Sequence, residues 1–226
     1  MGFSDMFRQL WETGTFQRGI WETVYMTFLS TAFAYAIGIP LGLLTCITEK
    51  GNLRPIPWLN RILSILINIF RSIPFIILMV TLLPAAKFLV GATTGPAAMI
   101  VMLVIAAAPY IARMVEGAVK EVDPGVIEAA RSMGSSDFRI VTKVLLPEAK
   151  PSLINGAVIS LVTVLSYSAM ASTINGGGLG QIAIIYGHQR FNDDVTWICC
   201  ILLVLIVQII QEAGIRIARA SDKRRS

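Results

Sequence analysis

Few residues in this 226-residue chain have the type and spacing that chemistry needs. Its lone histidine, His188, has no partner at metal-ligand or general-base spacing. Cys46, Cys199 and Cys200 lie within or at the edge of apolar runs and read as buried free thiols. No metal site is expected. No glycine-rich loop followed by Lys-Ser/Thr occurs, which closes that route to ATP hydrolysis, and no Ser/His/Asp or zinc pattern offers an enzyme. The fourteen acidic residues fall in loops, in a mid-chain insert, in the termini or at the edges of apolar runs. An ion-coupled carrier usually buries a carboxylate near the bilayer centre, so proton or sodium coupling is not expected either. Energy must come from a partner.

What remains is a stripe and a lone cation. Thr163, Ser166, Tyr167, Met170, Thr173 and Ile174 follow spacings of three and four, so they share one helical face. Hydroxyls, a phenol and a thioether suit the lining of a central pathway, with Ser166, Ser168 and Thr173 available to a charged cargo. Small hydroxyl residues also pack membrane helices together, and both readings stand. Arg71 is the only charge inside its apolar run. At the centre of a span it costs roughly 2.5–3.5 kcal/mol, so it is expected to face protein or water and to find a partner, either as a structural pairing or as a substrate contact. Pro74 follows three residues later and frees backbone carbonyls nearby. Gly38 and Gly42 form a small-xxx-small pair that lets helices approach closely.

Such residues need a membrane scaffold to position them. Hydrophobic residues make up 55% of the chain and charged ones 15%, where soluble domains carry about a quarter charged residues. Crossing a bilayer takes roughly 20 apolar helical residues. Five runs meet or approach that length: 23–48, 62–86, a third ending at 112 after a turn at 91–96, 151–189 with a glycine-rich loop at 175–180, and 195–211. Alternating patterns are absent, so the fold class is all-α, polytopic, with five transmembrane helices. Residues 1–19 contain charges and no continuous apolar run of the signal-peptide kind. Phe3, Met6, Phe7, Leu10 and Trp11 recur at helical spacing there, which reads as an amphipathic segment along the membrane surface or as a frayed terminus. The expected transmembrane domain covers 20–215, with a basic tail at 216–226.

Lysines and arginines choose the orientation. With the N-terminus outside and the C-terminus cytoplasmic, fourteen lie inside and four outside, namely Arg8, Arg18, Lys87 and Arg190. The net charge of +5 is then accounted for, and nucleic acid is not an expected partner.

That orientation makes residues 123–150, between spans 3 and 4, a cytoplasmic two-helix insert. Asp123 caps a helix that starts at Pro124, and Gly134 ends it in a left-handed turn. Ser135 or Ser136 caps a second helix with Phe138, Val141, Val144 and Leu145 on its apolar face. Leu146–Pro147 breaks that helix, and Pro151 opens span 4. A mere connector rarely carries so much encoded structure.

Glu128-Ala129-Ala130, three residues, Gly134, nine residues, then Val144-Leu145-Leu146-Pro147 resembles the EAA loop of bacterial ABC-importer permeases, with valine where that pattern has isoleucine. The strings Asn68–Phe75, Ala108–Glu116, Tyr167–Met170 and Gly177–Gln181 are similar to the methionine-importer branch, over about residues 20–215. The resemblance implies a homodimeric permease in the bacterial inner membrane. It implies two copies of a cytoplasmic ABC ATPase and a periplasmic or lipid-anchored methionine-binding protein as partners. It implies that Glu128, Ala129, Ala130, Gly134, Leu146 and Pro147 couple to the ATPase, that MgATP is bound there and no cofactor by this chain, and that methionine, L- and D-, moves by alternating access. A permease for another amino acid, and a gated channel component without an ATPase, remain the alternatives.

Overall fold

The computed structural model describes residues 3–221, with side chains for 7–170 and 173–220. Lys223, Arg224 and Arg225 of the basic tail, and the side chains of Phe3 and Met6, lie outside the described residues. Among those described the chain is helical throughout: α1 (Phe3–Glu12), α2 (Thr15–Thr48), α3 (Pro57–Ser72), α4 (Phe75–Thr81), α5 (Leu83–Val90), α6 (Gly95–Lys120), α7 (Pro124–Ser132), α8 (Asp137–Ile140), α9 (Leu146–Glu148), α10 (Lys150–Met170), α11 (Gly178–Ile182) and α12 (Asp193–Ser221). Two π-helical turns, Val141–Leu145 and Ala183–His188, and a 3₁₀ turn, Ala171–Ile174, join neighbouring elements.

α2, α6, α10 and α12 are long and apolar enough to cross a membrane, and a fifth crossing is available if α3 and α4 count as one bent span. At 1.5 Å per residue the 34 residues of α2 reach about 51 Å, well beyond a hydrocarbon core of about 30 Å. The run read as one second span, 62–86, is in fact bent by 104° between α3 and α4. The cause is local. Pro74 has no amide to donate, and it pushes the preceding Ile73 out of the helical region to φ −82°, ψ 126°. α1 and α2 are separated at Gly14, whose φ is +72°. α12 begins before the expected fifth span and runs on to Ser221, through the first part of what read as a tail.

The chain divides into two compact units. Unit one holds residues 1–33, 74–106 and 161–211, and unit two holds 34–73, 107–160 and 212–226. Every border falls inside α2, the α3–α4 break, α6, α10 or α12. Within unit one, α1 turns an apolar face inward: Leu10 joins Phe16, Leu179, Ile182, Val195 and Cys199 in a buried cluster, with Phe7 packed against it. Within unit two the expected glycine pair closes α2 on α6. A Cβ on Gly38 would lie 2.5 Å from Ile111 Cγ2, and one on Gly42 would lie 2.5 Å from the Ala112 carbonyl oxygen. No larger residue fits either position. Asn60 ties the start of α3 to the end of α2, donating to the Thr45 carbonyl at 2.6 Å.

Candidate functional site

The insert in unit two forms much as its local chemistry dictates. Asp123 Oδ1 accepts from the Gly125 amide at 2.7 Å, capping α7, with Pro124 in the first turn. At the other end the Ser135 amide donates to the Ala130 carbonyl at 3.1 Å and Gly134 sits at φ +77°. This is the left-handed helix stop that glycine favours. Glu128 and Ala129 face outward while Ala130 is buried. Arg131 reaches away from α7 to the Leu53 carbonyl at 2.8 Å, fastening the insert to the α2–α3 connection. A cavity of about 250 Å³ lies beneath, lined by Leu53, Val119, Lys120, Glu128, Arg131 and Leu145 among others.

Two expectations for the second half of the insert are corrected. Leu146–Pro147 does not break the helix. α8, the π-turn and α9 follow one another without interruption from Asp137 to Glu148, and α10 starts at Lys150. In the π-turn the Leu146 amide reaches back five residues to the Val141 carbonyl. That wider loop makes room for a proline ring that a regular α-turn would clash with. Phe138 is not on the inner face either. It is 78% exposed, as is Met133, whereas Ile140 and Leu145 take the buried positions. Ser136 occupies the N-cap position of α8 without a side-chain capping bond. Leu146 is half-buried and Pro147 exposed.

An ion-pair cluster that composition alone had passed over stiffens the same unit. Glu116 is buried and meets Arg113 Nη1 at 2.6 Å and Lys120 Nζ at 2.8 Å. Lys120 also meets Glu49 at 2.7 Å, and Arg113 Nη2 donates to Asn68 Oδ1 at 3.0 Å. The cluster links the ends of α2 and α6 to α3. Its signal was present in the sequence as Arg, Glu and Lys spaced three and four apart on one helix face.

In unit one, the polar stripe on α10 divides. Ser166 and Met170 are exposed, as is Thr173 in the 3₁₀ turn that follows. The hydroxyls of Ser166 and Thr173 donate to the carbonyls of Val162 and Met170. Tyr167 is half-buried and stacks flat on Phe75, centroids 4.5 Å apart and planes 6° from parallel. Ser168 is not available to a cargo: it is buried and donates to the Leu165 carbonyl at 2.7 Å. The glycine-rich loop is more than a loop, because it opens into α11. Gly180 packs directly on the Ala169 backbone. Glu22 and Thr23 of α2 accept from the Gly178 and Leu179 amides at 2.9 and 2.8 Å, so two side chains distant in sequence cap α11. Nothing in the spacing announced that cap.

Arg71 ends α3 in unit two, immediately before the bend. Its side chain is exposed, and among the described residues it has no ion-pair or hydrogen-bond partner. Pro74 starts α4, its carbonyl accepting from the Ile77 and Leu78 amides. Among the described residues no group of three His, Cys, Asp or Glu side chains is placed to hold a metal ion.

Against known proteins, residues 38–224 match the model of the binding-protein-dependent transport system inner membrane component family. The chain is 46% identical over 205 residues to the probable D-methionine transport system permease protein MetI of Vibrio cholerae, covering 90% of this chain and 91% of that one. It is 47% identical over 204 residues to the methionine import system permease protein MetP of Bacillus subtilis, covering 90% and 92%. Among solved structures it superposes on an inward-facing form of the MetNI methionine ABC transporter with a TM-score of 0.92 and 46% identity, covering 99% of this chain and 100% of that one. A more distant amino acid ABC transporter, 21% identical, shares the fold at a TM-score of 0.79, covering 97% and 99%. An insert capped by Asp123 and turned at Gly134, carried by apolar helices and matched from residue 38 to residue 224, makes this chain a member of the family of binding-protein-dependent transport system inner membrane components.

Proposed function

We propose that the chain is the permease subunit of an ATP-driven importer that carries methionine, in its L and D forms, across the bacterial inner membrane. The observation that carries this reading is the full-length likeness, at nearly half identity, to permeases of methionine importers. The working unit is a homodimer served by two cytoplasmic ABC ATPases, which bind MgATP, and by an external methionine-binding protein. With α3 and α4 taken as one bent span there are five crossings, the N-terminus outside and the C-terminus inside.

In this reading α7 is the coupling helix. Glu128 and Ala129 present its outer face to the ATPase, and small residues there let a helix enter a cleft. Ala130 packs inward, Gly134 sets the angle to α8, and Leu146 and Pro147 carry the movement toward α10. Closure of the ATPase pair on ATP draws the two inserts together and turns the spans, opening the pathway outward to the docked binding protein; hydrolysis resets it. Ser166, Met170 and Thr173 line the pathway, and Tyr167 forms its edge against Phe75. Sulfur–aromatic contacts of about 0.3–1.5 kcal/mol suit a passage, because tight binding would trap the cargo. Arg71, without a partner among the described residues, meets the second copy or pathway water at the bend before Pro74. Uptake of labelled methionine in cells lacking their own importer, with all partner subunits supplied and competing amino acids added, tests the assignment. Uptake that methionine alone competes away is the expected result. Failure to restore uptake would defeat it.

A further inference from the structure

The buried face of α2 in unit one carries three hydroxyls that the importer mechanism does not use. Thr27 and Ser30 are 0% exposed and Thr31 is 6% exposed, yet among the described residues the oxygens of all three lack any hydrogen-bond partner. Serine and threonine in a helix commonly satisfy themselves by donating to the carbonyl three or four residues back. Thr23, one turn earlier, does this to Gly19 at 2.8 Å and also accepts from the Leu179 amide. Thr45 and Thr48, further along α2, do it too. Thr27, Ser30 and Thr31 have turned their oxygens away from that option. Ser30 and Thr31 stand three and four residues after Thr27, spacings at which helical side chains are about 5–6 Å apart. That spacing lets a single small molecule touch more than one hydroxyl.

We propose that Thr27, Ser30 and Thr31 hold ordered water inside unit one. A buried polar group without a protein partner is rare in native proteins, and ordered water is its usual complement. Water also fits the ligand set better than a cation does. Hydroxyls both donate and accept, whereas hard cations collect carboxylates and carbonyls. The carboxylate on this stretch of α2, Glu22, is already engaged by Arg18 at 2.8 Å and by the Gly178 amide. A solvent reservoir is close by. A cavity of about 460 Å³ has Glu22, Gly177, Gly178 and Gln181 in its wall, and the Gly178 wall rests on Thr23 and Met26, whose Cε would lie 3.2 Å from a Cβ at that glycine. Bound water gives the three hydroxyls partners without tying α2 to a neighbouring helix.

Met26 makes the idea testable, because it is fully buried, adjoins Thr27 and carries an easily oxidised thioether. X-ray radiolysis of the intact transporter complex in nanodiscs creates hydroxyl radicals from ordered as well as bulk water, and mass spectrometry reads methionine sulfoxide. Met26 should be oxidised several-fold more than the equally buried Met99 and Met102. In the Thr27→Val/Ser30→Ala/Thr31→Val variant its oxidation should fall to their level. If that variant does not fold, the near-isosteric single changes Thr27→Val and Thr31→Val should each lower it. Met26 oxidation no higher than that of Met99 in the wild type, or unchanged in the variants, overturns the proposal. Oxidation that changes when sodium and potassium are replaced by choline marks a cation site and overturns it as well.

Discussion

Gly134 separates the backbone from every other contribution to the insert. Its φ is +77°, and nothing lies within 4 Å of where a Cβ would be built. A substituent there meets no neighbour, so the whole cost is conformational. Left-handed backbone costs an ordinary residue about 1–2 kcal/mol, and a β-branched residue reaches about 3 kcal/mol. At about 1.4 kcal/mol per factor of ten, alanine lowers the population holding the observed turn relative to straighter alternatives by about tenfold. Valine lowers it by about a hundredfold. Asparagine, which visits this region routinely, loses least. If the angle between α7 and α8 transmits force, methionine transported per ATP hydrolysed in proteoliposomes should fall in the order Gly, Asn, Ala, Val. Membrane insertion and subunit assembly, followed by gel filtration, should stay intact. Uptake by Gly134→Val equal to wild type would refute the reasoning, and so would a ranking by side-chain volume that placed alanine above asparagine.

Gly42→Ala should destabilise the α2–α6 contact by about 1–3 kcal/mol, because the new methyl meets the Ala112 carbonyl at 2.5 Å. Gly117→Ala on the same α6, with open space around it, should be neutral or gain about 1 kcal/mol, and thermal unfolding in detergent compares the two. Glu116→Ala removes the carboxylate shared by Arg113 and Lys120, while Lys120 keeps Glu49 and Arg113 keeps Asn68, so a loss of about 1–3 kcal/mol is expected in the same melt. Tyr167→Phe keeps the stack on Phe75 and should transport normally. Tyr167→Ala and Met170→Ala should raise leakage or futile hydrolysis; unchanged transport and hydrolysis in both would remove these residues from the pathway.

What could be read from sequence was what local chemistry decides. Asp123 before Pro124, and a glycine after a short helical run, have one good use each, and the structure puts them to it. Gly38 and Gly42 were legible because only close approach explains the pair. Features decided by tertiary partners were not. Phe138 looked inward on periodicity, yet it is exposed and Ile140 is buried instead, while Leu145 holds the buried position expected of it. The 104° bend had a marker, the extended preference of a residue before proline, but the apolar residues that resume beyond it read as the same span. α11 was hidden because its caps come from Glu22 and Thr23, more than 150 residues away.

The π-turn at Val141–Leu145 has a consequence for indels. One wide turn holds an extra residue compared with regular helix, and each residue accounts for about 100° of helical rotation. The faces of α8 and of the start of α10 are therefore offset in phase, and a substitution scan from Asp137 onward should show the 3.6-residue rhythm slip at this point. Deleting one residue from the turn would restore regular winding with the flanking faces kept in place, but would set the Pro147 ring against the carbonyl four residues back. Lengths are thus constrained here where individual side chains are not. Val144 can stand for isoleucine in the motif, but losing one residue between Gly134 and Pro147 removes the wide turn that accommodates the proline.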